Sequence, residues 1–257
     1  MLLLPLMKHC MMRYRGCLGN KMSDQETHFV FDPMARKYDR CNHIFSFGID
    51  YFWRKKLIGA LHPYPHQQVL DLCCGTGDVV FSFLKNSPVQ NIIGVDLSQS
   101  MIDLAREKQI RYSRRSWMRK KNTSWKVTNA AQTGLNSDGF DIVTCAFGIR
   151  NISNRTAALN EIHRLLKTKG KLGILEFSLP SNPLVRYPYH LYLNRIMPFL
   201  GKCVVGDKEP LCYLAQSIGH WHNEVDFSSE LAQVGFKLIY KTPLTGGLAT
   251  LWVAVKD

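Results

Sequence analysis

The chain has 257 residues, of which 46% are hydrophobic, and a formal net charge of +13. This length fits one sizeable α/β domain, and no apolar run reaches the roughly 18 residues that a membrane-spanning helix needs. The eight cysteines form no CxxC pair and no Cys/His set with zinc spacing. We therefore expect no metal, and reduced, buried thiols in a cytosolic protein.

The N-terminal part divides into two segments. Residues 1–22 contain no predicted element, carry four basic residues and no acid, and are expected to lie outside the core. They fit either a targeting peptide or a gene start placed too early, with translation beginning at Met22. The polar stretch MSDQETHF favours the second interpretation. Residues 23–66 are predicted to form a mostly helical N-terminal cap.

From residue 67 to residue 257 the pattern predicts an α/β core in which strands and helices alternate. The strands VLDL, IIGVDL, IVTCAF and LGILEF are apolar almost throughout, which is typical of parallel strands covered on both faces. Helices are predicted at 78–86, 98–113, 155–167 and 228–236, and strands at 68–73, 91–97, 124–130, 140–147 and 171–177. Two further β-rich runs at 236–243 and 250–256 predict an antiparallel pair at the edge of a Rossmann-like, doubly wound sheet.

Residues 178–226 interrupt this alternation with a stretch rich in aromatic and apolar residues. Such an insertion usually forms a lid or a substrate wall over an α/β sheet. The alternative is a packing extension without a role in binding. We predict a substrate-side insert.

The stretch VLDLCCGTGD, residues 69–78, places a glycine turn directly after the first core strand, where open α/β sheets bind ligands. A dinucleotide fingerprint would require glycine at the position of Val80, and a Walker A loop would require Gly-Lys-Ser/Thr. Both are absent, whereas the small residues of the turn still let the backbone approach a ligand closely. The ligand is therefore expected to lack a pyrophosphate. Cys73 and Cys74 are interpreted as small side chains beside the turn, and a redox role for a partly ionised thiol stays open.

The next two strands indicate which ligand this is. Asp96 ends the second strand, where a carboxylate can accept hydrogen bonds from both ribose hydroxyls. Asn129 follows the third strand and could pair with adenine, and Ala130 leaves room for the ring; alternatively, Asn129 caps a turn. A nucleoside without a pyrophosphate points to S-adenosylmethionine. Together these signals predict a class I S-adenosylmethionine-dependent methyltransferase.

The chain also resembles the ubiquinone/menaquinone biosynthesis C-methyltransferase family from about Phe29 to Lys256. The segments that carry the resemblance are FDPMARKYDRCN, VLDLCCGTGD, FGIRNI, LEFS, YLAQSI and LTGGLATLW. The family methylates a ring carbon of polyprenylated quinols with S-adenosylmethionine. The resemblance implies that Thr76, Asp96, Asn129 and Ala130 contact the cofactor, with Gly75 and Gly77 in the same turn. The chain departs from the family at Ala146, where serine is common, at AQTGL after Ala130, and in its longer basic segment 106–126.

Methyl transfer to carbon needs an electron-rich ring carbon beside a phenolate, and a phenol with a pKa of about 10 needs a base or a nearby positive charge to ionise. Arg150 is the candidate that steadies the phenolate or holds a water, and the alternative is a loop salt bridge. Tyr38, with Asp39, could close over the cofactor or only cap a helix. Tyr213 could line the quinol pocket with or without a chemical role. Weaker candidates for carrying the proton are His43, His190, His220 and His222.

A lipid-tailed quinol as substrate predicts peripheral docking on an anionic membrane, on the cytoplasmic side or, in a eukaryote, on the mitochondrial matrix side. Residues 184–200 and the basic segment 106–126, with Trp117 and Trp125, are the predicted contacts; the basic segment could also be a solvated loop. A homo-oligomer or a complex of quinone-biosynthesis enzymes is left open.

Demethylmenaquinol is the favoured substrate and the benzoquinol precursor of ubiquinone the alternative. An RNA methyltransferase is disfavoured because the positive charge is confined to residues 1–22 and 106–126 and no NPPY-like motif occurs. An inactive cofactor-binding scaffold is the third possibility.

Overall fold

The structure is a computed structural model that describes residues 43–204 and 209–257. The predicted extension 1–22 and the candidate residues Tyr38 and Asp39 lie outside the described residues. In the part of the chain that is described, no helix combines the length and the apolar character that crossing a membrane requires.

Within those residues, seven strands form a single sheet in the order β3-β2-β1-β4-β5-β7-β6. Strands β1 to β5 are parallel, and β7 runs antiparallel to both of its neighbours, β5 and β6. The strands are β1 Gln68–Leu72, β2 Asn91–Asp96, β3 Asn122–Val127, β4 Phe140–Ala146, β5 Leu166–Phe177, β6 Phe236–Leu244 and β7 Ala249–Lys256. The predicted doubly wound sheet is confirmed. The final hairpin extends its edge, with β7 lying between β5 and β6.

The helices cover the two faces of this sheet. They are α1 Ile49–Leu61, α2 Asp78–Asn86, α3 Gln99–Tyr112, α4 Arg155–Leu165, α5 Pro183–Leu191, α6 Met197–Val204, α7 Glu209–Glu224 and α8 Phe227–Gln233. Side-chain caps define several of their starts: the Ser98 hydroxyl accepts from the Met101 N–H before α3, and the Asn154 side chain accepts from the Ala157 N–H before α4. Such caps satisfy N–H groups that lack a partner in the first helical turn.

Two apolar cores lie on opposite faces of the sheet, as the apolar strands predict. Val69 on β1 packs with Leu57 of α1 and Phe83 of α2 in one core. Its neighbour Leu70 packs with Ile162 of α4 in the other. Successive side chains of a strand point to opposite faces, so a strand covered on both faces is mostly apolar on both.

Two strand boundaries differ from the prediction by three residues or more. β5 begins at Leu166, directly after α4, because Leu166 pairs with Phe140 of β4. Lys169 then adopts a left-handed φ of 64°, which a local sequence pattern does not reveal. β3 ends at Val127 rather than at residue 130, because the chain turns at Asn129.

The insertion at residues 178–226 is helical and has its own small core. Leu193, Met197 and Ile218 pack together there, and Phe45 from the N-terminal cap joins them. The Tyr192 hydroxyl also donates a hydrogen bond of 2.7 Å to the Phe45 carbonyl. Residues of the cap and of the insertion thus pack as one unit.

The two tryptophans of the basic segment are not exposed aromatic side chains. Trp125 lies on β3 and Trp117 in a short 3₁₀ turn, and both are partly buried against the core that contains α1 and α2. The Trp125 indole N–H donates to the Gln109 side chain at 2.7 Å, and the Trp117 ring lies 5.4 Å from that of Tyr112. Packing thus covers part of each ring, and the contact of the basic segment with a membrane stays a prediction.

Candidate active site

The glycine turn and the acid that ends β2 meet at the carboxyl edge of the sheet. The Gly75 N–H donates to Asp96 Oδ2 at 2.8 Å, and the Ser98 N–H donates to Oδ1 at 2.9 Å. Gly75 and Gly77 have φ values of 53° and 85°, a region in which glycine is the favoured residue. The sequence predicted that this turn and Asp96 would lie together, because the carboxyl ends of neighbouring parallel strands share an edge.

The space on the two sides of the turn differs. A Cβ atom added at Gly75 would meet nothing within 4 Å, whereas one at Gly77 would lie 2.5 Å from the Trp125 ring. The turn is therefore packed against Trp125 on one side and open at Gly75. This open, backbone-lined surface beside the Asp96 carboxylate fits a ribose and its attached chain. Sequence reasoning missed Trp125 as the support of the turn, because the basic residues around it suggested a surface loop.

Thr76, a predicted cofactor contact, is buried, and its hydroxyl accepts a hydrogen bond of 2.8 Å from Lys108 Nζ. The same ammonium group donates to Asp78 Oδ1 at 2.7 Å. A lysine on α3 thus fixes both the turn and the first residue of α2. Nothing in the local sequence indicated this contact, since Lys108 belongs to a run of cationic residues.

His43, Asp50 and Asp78 bring three metal-type ligand atoms within 4.8 Å of one another. Arg54, however, forms ion pairs with both carboxylates, and Lys108 pairs with Asp78 as well. Burial would raise the pKa of Asp50, but the hydrogen bond from His43 and the charge of Arg54 hold that pKa well below its usual range. The cluster is therefore an ion-pair network that joins the cap to the glycine turn.

Asp71 lies at the end of β1 beneath the turn and is 1% exposed. The Thr144 hydroxyl donates to its Oδ1 at 2.7 Å, while Oδ2 is buried and has no hydrogen-bond partner among residues 43–204 and 209–257. Burial raises the pKa of Asp71 from 3.8 to about 7. Burial also raises the pKa of the Cys74 thiol well above its usual value, which contradicts the idea of a partly ionised thiol at that position.

On the adenine side, Asn129 and Ala130 follow β3 at the same edge as Asp96, where the Thr128 N–H donates to the Asp96 carbonyl at 2.9 Å. The Asn129 Oδ1 accepts from the Ala131 N–H at 2.8 Å. The alternative role of Asn129, a cap on its own turn, is therefore present. Ala130 is buried in the core. The structure brings both residues to the predicted edge, and their contact with adenine stays a prediction.

Arg150 follows β4 and is held firmly in place. Its side chain is 3% exposed and forms an ion pair of 2.6 Å, from Nη1 to Oε1, with the fully buried Glu176 at the end of β5. Nη1 also donates to the Phe147 carbonyl at 2.7 Å, and Nε donates to the Ser217 hydroxyl of α7 at 3.2 Å. The alternative salt bridge thus exists, but Nη2 makes no hydrogen bond with any residue that the structure describes. The sequence did not identify Glu176 and Ser217 as the partners of Arg150.

Tyr213 lies in the same corner as Arg150. Its hydroxyl donates to Asn151 Oδ1 at 3.1 Å, and Asn151 is the residue after Arg150. Tyr213 and Ser217 are four residues apart on α7, so they project from the same face of the helix. Of the four candidate histidines, His43 lies beside α1, where it hydrogen-bonds Asp50 at 2.7 Å. The predicted pair of Arg150 and Tyr213 is therefore brought together at the sheet edge.

The strand order, the single antiparallel strand and the turn facing Asp96 together define a class I S-adenosylmethionine-dependent methyltransferase. The solved structure of an S-adenosylmethionine-dependent methyltransferase from Aquifex aeolicus superimposes with a TM-score of 0.54 at 14% identity, covering 79% of this chain and 89% of that one. The model of the ubiE/COQ5 methyltransferase family matches residues 20–256, and the chain belongs to that family.

Two relatives show the range of proteins to which the chain is similar. A protein of Lactobacillus johnsonii named demethylmenaquinone methyltransferase is 34% identical over 93% of this chain and 96% of its own length. The human protein named 2-methoxy-6-polyprenyl-1,4-benzoquinol methylase, mitochondrial, is 30% identical over 86% of this chain and 77% of its own length. The predicted family, fold and methyltransferase activity are confirmed.

Proposed function

We propose that this protein transfers a methyl group from S-adenosylmethionine to a ring carbon of a polyprenylated quinol, with demethylmenaquinol as the preferred acceptor. The benzoquinol precursor of ubiquinone is the alternative acceptor. The relatives with these two names support quinol chemistry, and the higher identity and coverage of the bacterial relative favour the naphthoquinol. The observation that carries the proposal is the guanidinium of Arg150, which Glu176 fixes and whose Nη2 makes no hydrogen bond with the described residues.

Each part of the carboxyl edge has a role in this proposal. Asp96 accepts hydrogen bonds from the ribose hydroxyls, and the turn from Gly75 to Gly77 supports the rest of the cofactor. The bound cofactor supplies an electrophilic methyl group on a sulfonium. Arg150 Nη2 faces the phenolate oxygen of the quinol and stabilises its negative charge, so that the adjacent ring carbon can attack. A C–C bond forms, the C–S bond breaks, and the ring carbon then loses its proton to solvent.

The rigidity of Arg150 matters for this role. Its charge is fixed, so it cannot act as the base itself, but a cation that is already oriented stabilises developing charge without reorganisation. Glu176 prevents the side chain from moving and leaves one terminal nitrogen for the substrate. Tyr213 borders the same corner and contributes an apolar ring with a polar tip.

Access to a lipid-tailed quinol requires contact with a membrane surface. No residue of α5 is buried, and Leu184, Tyr187 and Phe199 are 84%, 78% and 67% exposed. We call the exposed apolar side chains of residues 184–199, together with Phe47 at 77% exposure, the apolar surface. The Phe47 ring lies 5.9 Å from that of Tyr192, which connects the cap to the insertion. We propose that this surface enters an anionic membrane peripherally, on its cytoplasmic side or on the matrix side in a mitochondrion.

The test is turnover of short-chain quinols under reducing conditions, with the methylated ring measured by mass spectrometry. Demethylmenaquinol and the benzoquinol analogue are compared for the unmodified protein, for Arg150→Lys and for Arg150→Gln. We expect turnover to fall by roughly a hundredfold in Arg150→Gln while the affinity for S-adenosylhomocysteine is unchanged. Methylation of neither quinol, or methylation of RNA instead, would overturn the proposal.

A further inference from the structure

A groove with a volume of about 990 Å³ lies beside the glycine turn, between α1, α2 and α3. Its floor is one face of α2, because residues 78, 81, 82, 85 and 86 recur at helical spacing. Residues 51, 54 and 55 of α1 form one wall, and residues 104, 107, 108 and 111 of α3 form the other, which continues to residue 117. We call this the α2 groove. Its size is sufficient for a ligand with both a charged and an apolar part.

The α2 groove is strongly positive. Six cationic side chains line it against two acidic ones. Asp78, one of the two acids, is already paired with Arg54 and Lys108. The other four cations are Lys55, Lys85, Arg111 and Arg115, and their side chains make no ion pair or hydrogen bond with any residue in the described ranges. These four charges come from α1, α2, α3 and the turn after α3, and they line one space.

Aromatic rings line one side of the same space. The Phe81 ring meets the Tyr112 ring edge to face at 5.1 Å, and Tyr112 lies 5.4 Å from Trp117. Phe81 is buried and anchors this row to the core. Rings that are fixed in this way offer an apolar surface next to the cationic side chains.

We propose that the α2 groove is a second binding site, separate from the methyl-transfer site, for a molecule that carries phosphoryl groups and an apolar or aromatic part. Several cations that have no acidic partner among the described residues attract a multivalent anion into one concave space, and guanidinium groups match phosphate oxygens in pairs. The row of rings accommodates the remainder of the molecule. The phosphoryl group is either that of a free organic phosphate or that of an anionic phospholipid headgroup.

The groove is connected to the cofactor turn through Lys108. The same ammonium group lines the groove and hydrogen-bonds the Thr76 hydroxyl and Asp78. An anion in the groove must therefore be distinguished from an anion on the turn itself. Saturating S-adenosylhomocysteine fills the turn and leaves the groove open, so it separates the two locations. The proposal does not depend on which quinol is methylated.

The experiment is calorimetry with inorganic pyrophosphate at constant ionic strength, with and without S-adenosylhomocysteine. We expect saturable binding in both conditions, and an approximately tenfold weaker affinity in the triple variant Lys55→Gln, Lys85→Gln, Arg111→Gln. The matched control removes the same charge from exposed positions of the basic segment outside the groove, Arg114→Gln, Arg119→Gln and Lys120→Gln. Its affinity should stay within about twofold of the unmodified protein.

The possible outcomes are distinct. No saturable binding, loss of binding when S-adenosylhomocysteine is present, or an equal loss in the two triple variants would each overturn the proposal. All six positions are exposed, so both variants should fold, and thermal unfolding checks this. Co-sedimentation with phosphatidylcholine vesicles that contain phosphatidylglycerol then identifies the source. A larger loss of vesicle binding in the groove variant than in the control variant indicates that the phosphoryl group belongs to a lipid headgroup. Equal vesicle binding by the two variants indicates a free organic phosphate.

Discussion

Asp71 provides a quantitative test of the electrostatics beneath the cofactor turn. Its carboxyl group is buried, one of its oxygens has no partner in the part of the chain that the structure describes, and burial raises its pKa from 3.8 to about 7. Because the folded-state pKa is raised, the folded protein holds this proton more tightly than the unfolded chain does. The resulting stabilisation is fully present below pH 4 and is lost as the pH rises through about 7.

The replacement Asp71→Asn keeps the shape and the acceptor for the Thr144 hydroxyl but removes the titration. One pKa unit corresponds to about 1.4 kcal/mol. Between about pH 5.5 and pH 8.5, the unmodified protein should therefore lose about 2 kcal/mol of unfolding free energy relative to Asp71→Asn. Other titrating groups contribute similarly to both proteins, so the difference isolates Asp71.

The assay is urea unfolding of both proteins at several pH values, with the difference in unfolding free energy plotted against pH. A second variant, Thr144→Val, removes the hydrogen bond that lowers the pKa of Asp71, so the loss should extend to higher pH. Parallel curves for the unmodified protein and Asp71→Asn would refute the reasoning, because they would mean that Asp71 titrates alike in the folded and unfolded chain.

Three further predictions concern the turn, its support and the apolar surface. Asp96→Asn removes a charged acceptor and should weaken S-adenosylhomocysteine binding by about tenfold or more in calorimetry; unchanged affinity would exclude a ribose contact. Gly94→Ala would place a Cβ atom 2.6 Å from the Trp125 ring and should cost about 1–3 kcal/mol in urea unfolding, with partial recovery on adding Trp125→Phe; an unchanged midpoint would contradict this packing. Leu184→Ser should reduce vesicle co-sedimentation more than Ile239→Ser, a control residue that is 54% exposed on β6; equal effects would remove the apolar surface from the docking proposal.

The sequence predicted those features that depend on local pattern. Strands β1 and β4 are mostly apolar, and burial on both faces follows directly from that. The proximity of Gly75 and Asp96 was also predictable, because both follow neighbouring parallel strands and must reach the same edge of the sheet. Both features follow from the periodicity of the chain and from the rules of parallel sheets.

Contacts between residues far apart in the chain could not be predicted in this way. Arg150 was recognised, but its partner Glu176 lies 26 residues away and reads in the sequence as the polar end of an apolar strand. Trp125 was assigned to a surface because its neighbours are basic, yet it fills the space left by Gly77 and Gly94. In each case the contact depends on how elements pack, which local pattern does not encode.

The charges along the carboxyl edge divide it into two regions with opposite demands. At the predicted nucleoside end, the Asp96 carboxylate accepts hydrogen bonds from two backbone N–H groups, and its oxygens can still accept from hydroxyl groups. At the other end, Arg150 and Glu176 form a buried ion pair, and such a pair is weak evidence for stability because desolvation offsets the attraction. The effect of this pair is one of position, since Glu176 fixes the Arg150 guanidinium, to which Ser217 of the insertion is also hydrogen-bonded. The proposed reaction places a neutral ribose at one end and a developing phenolate at the other, and this separation of charge suits both.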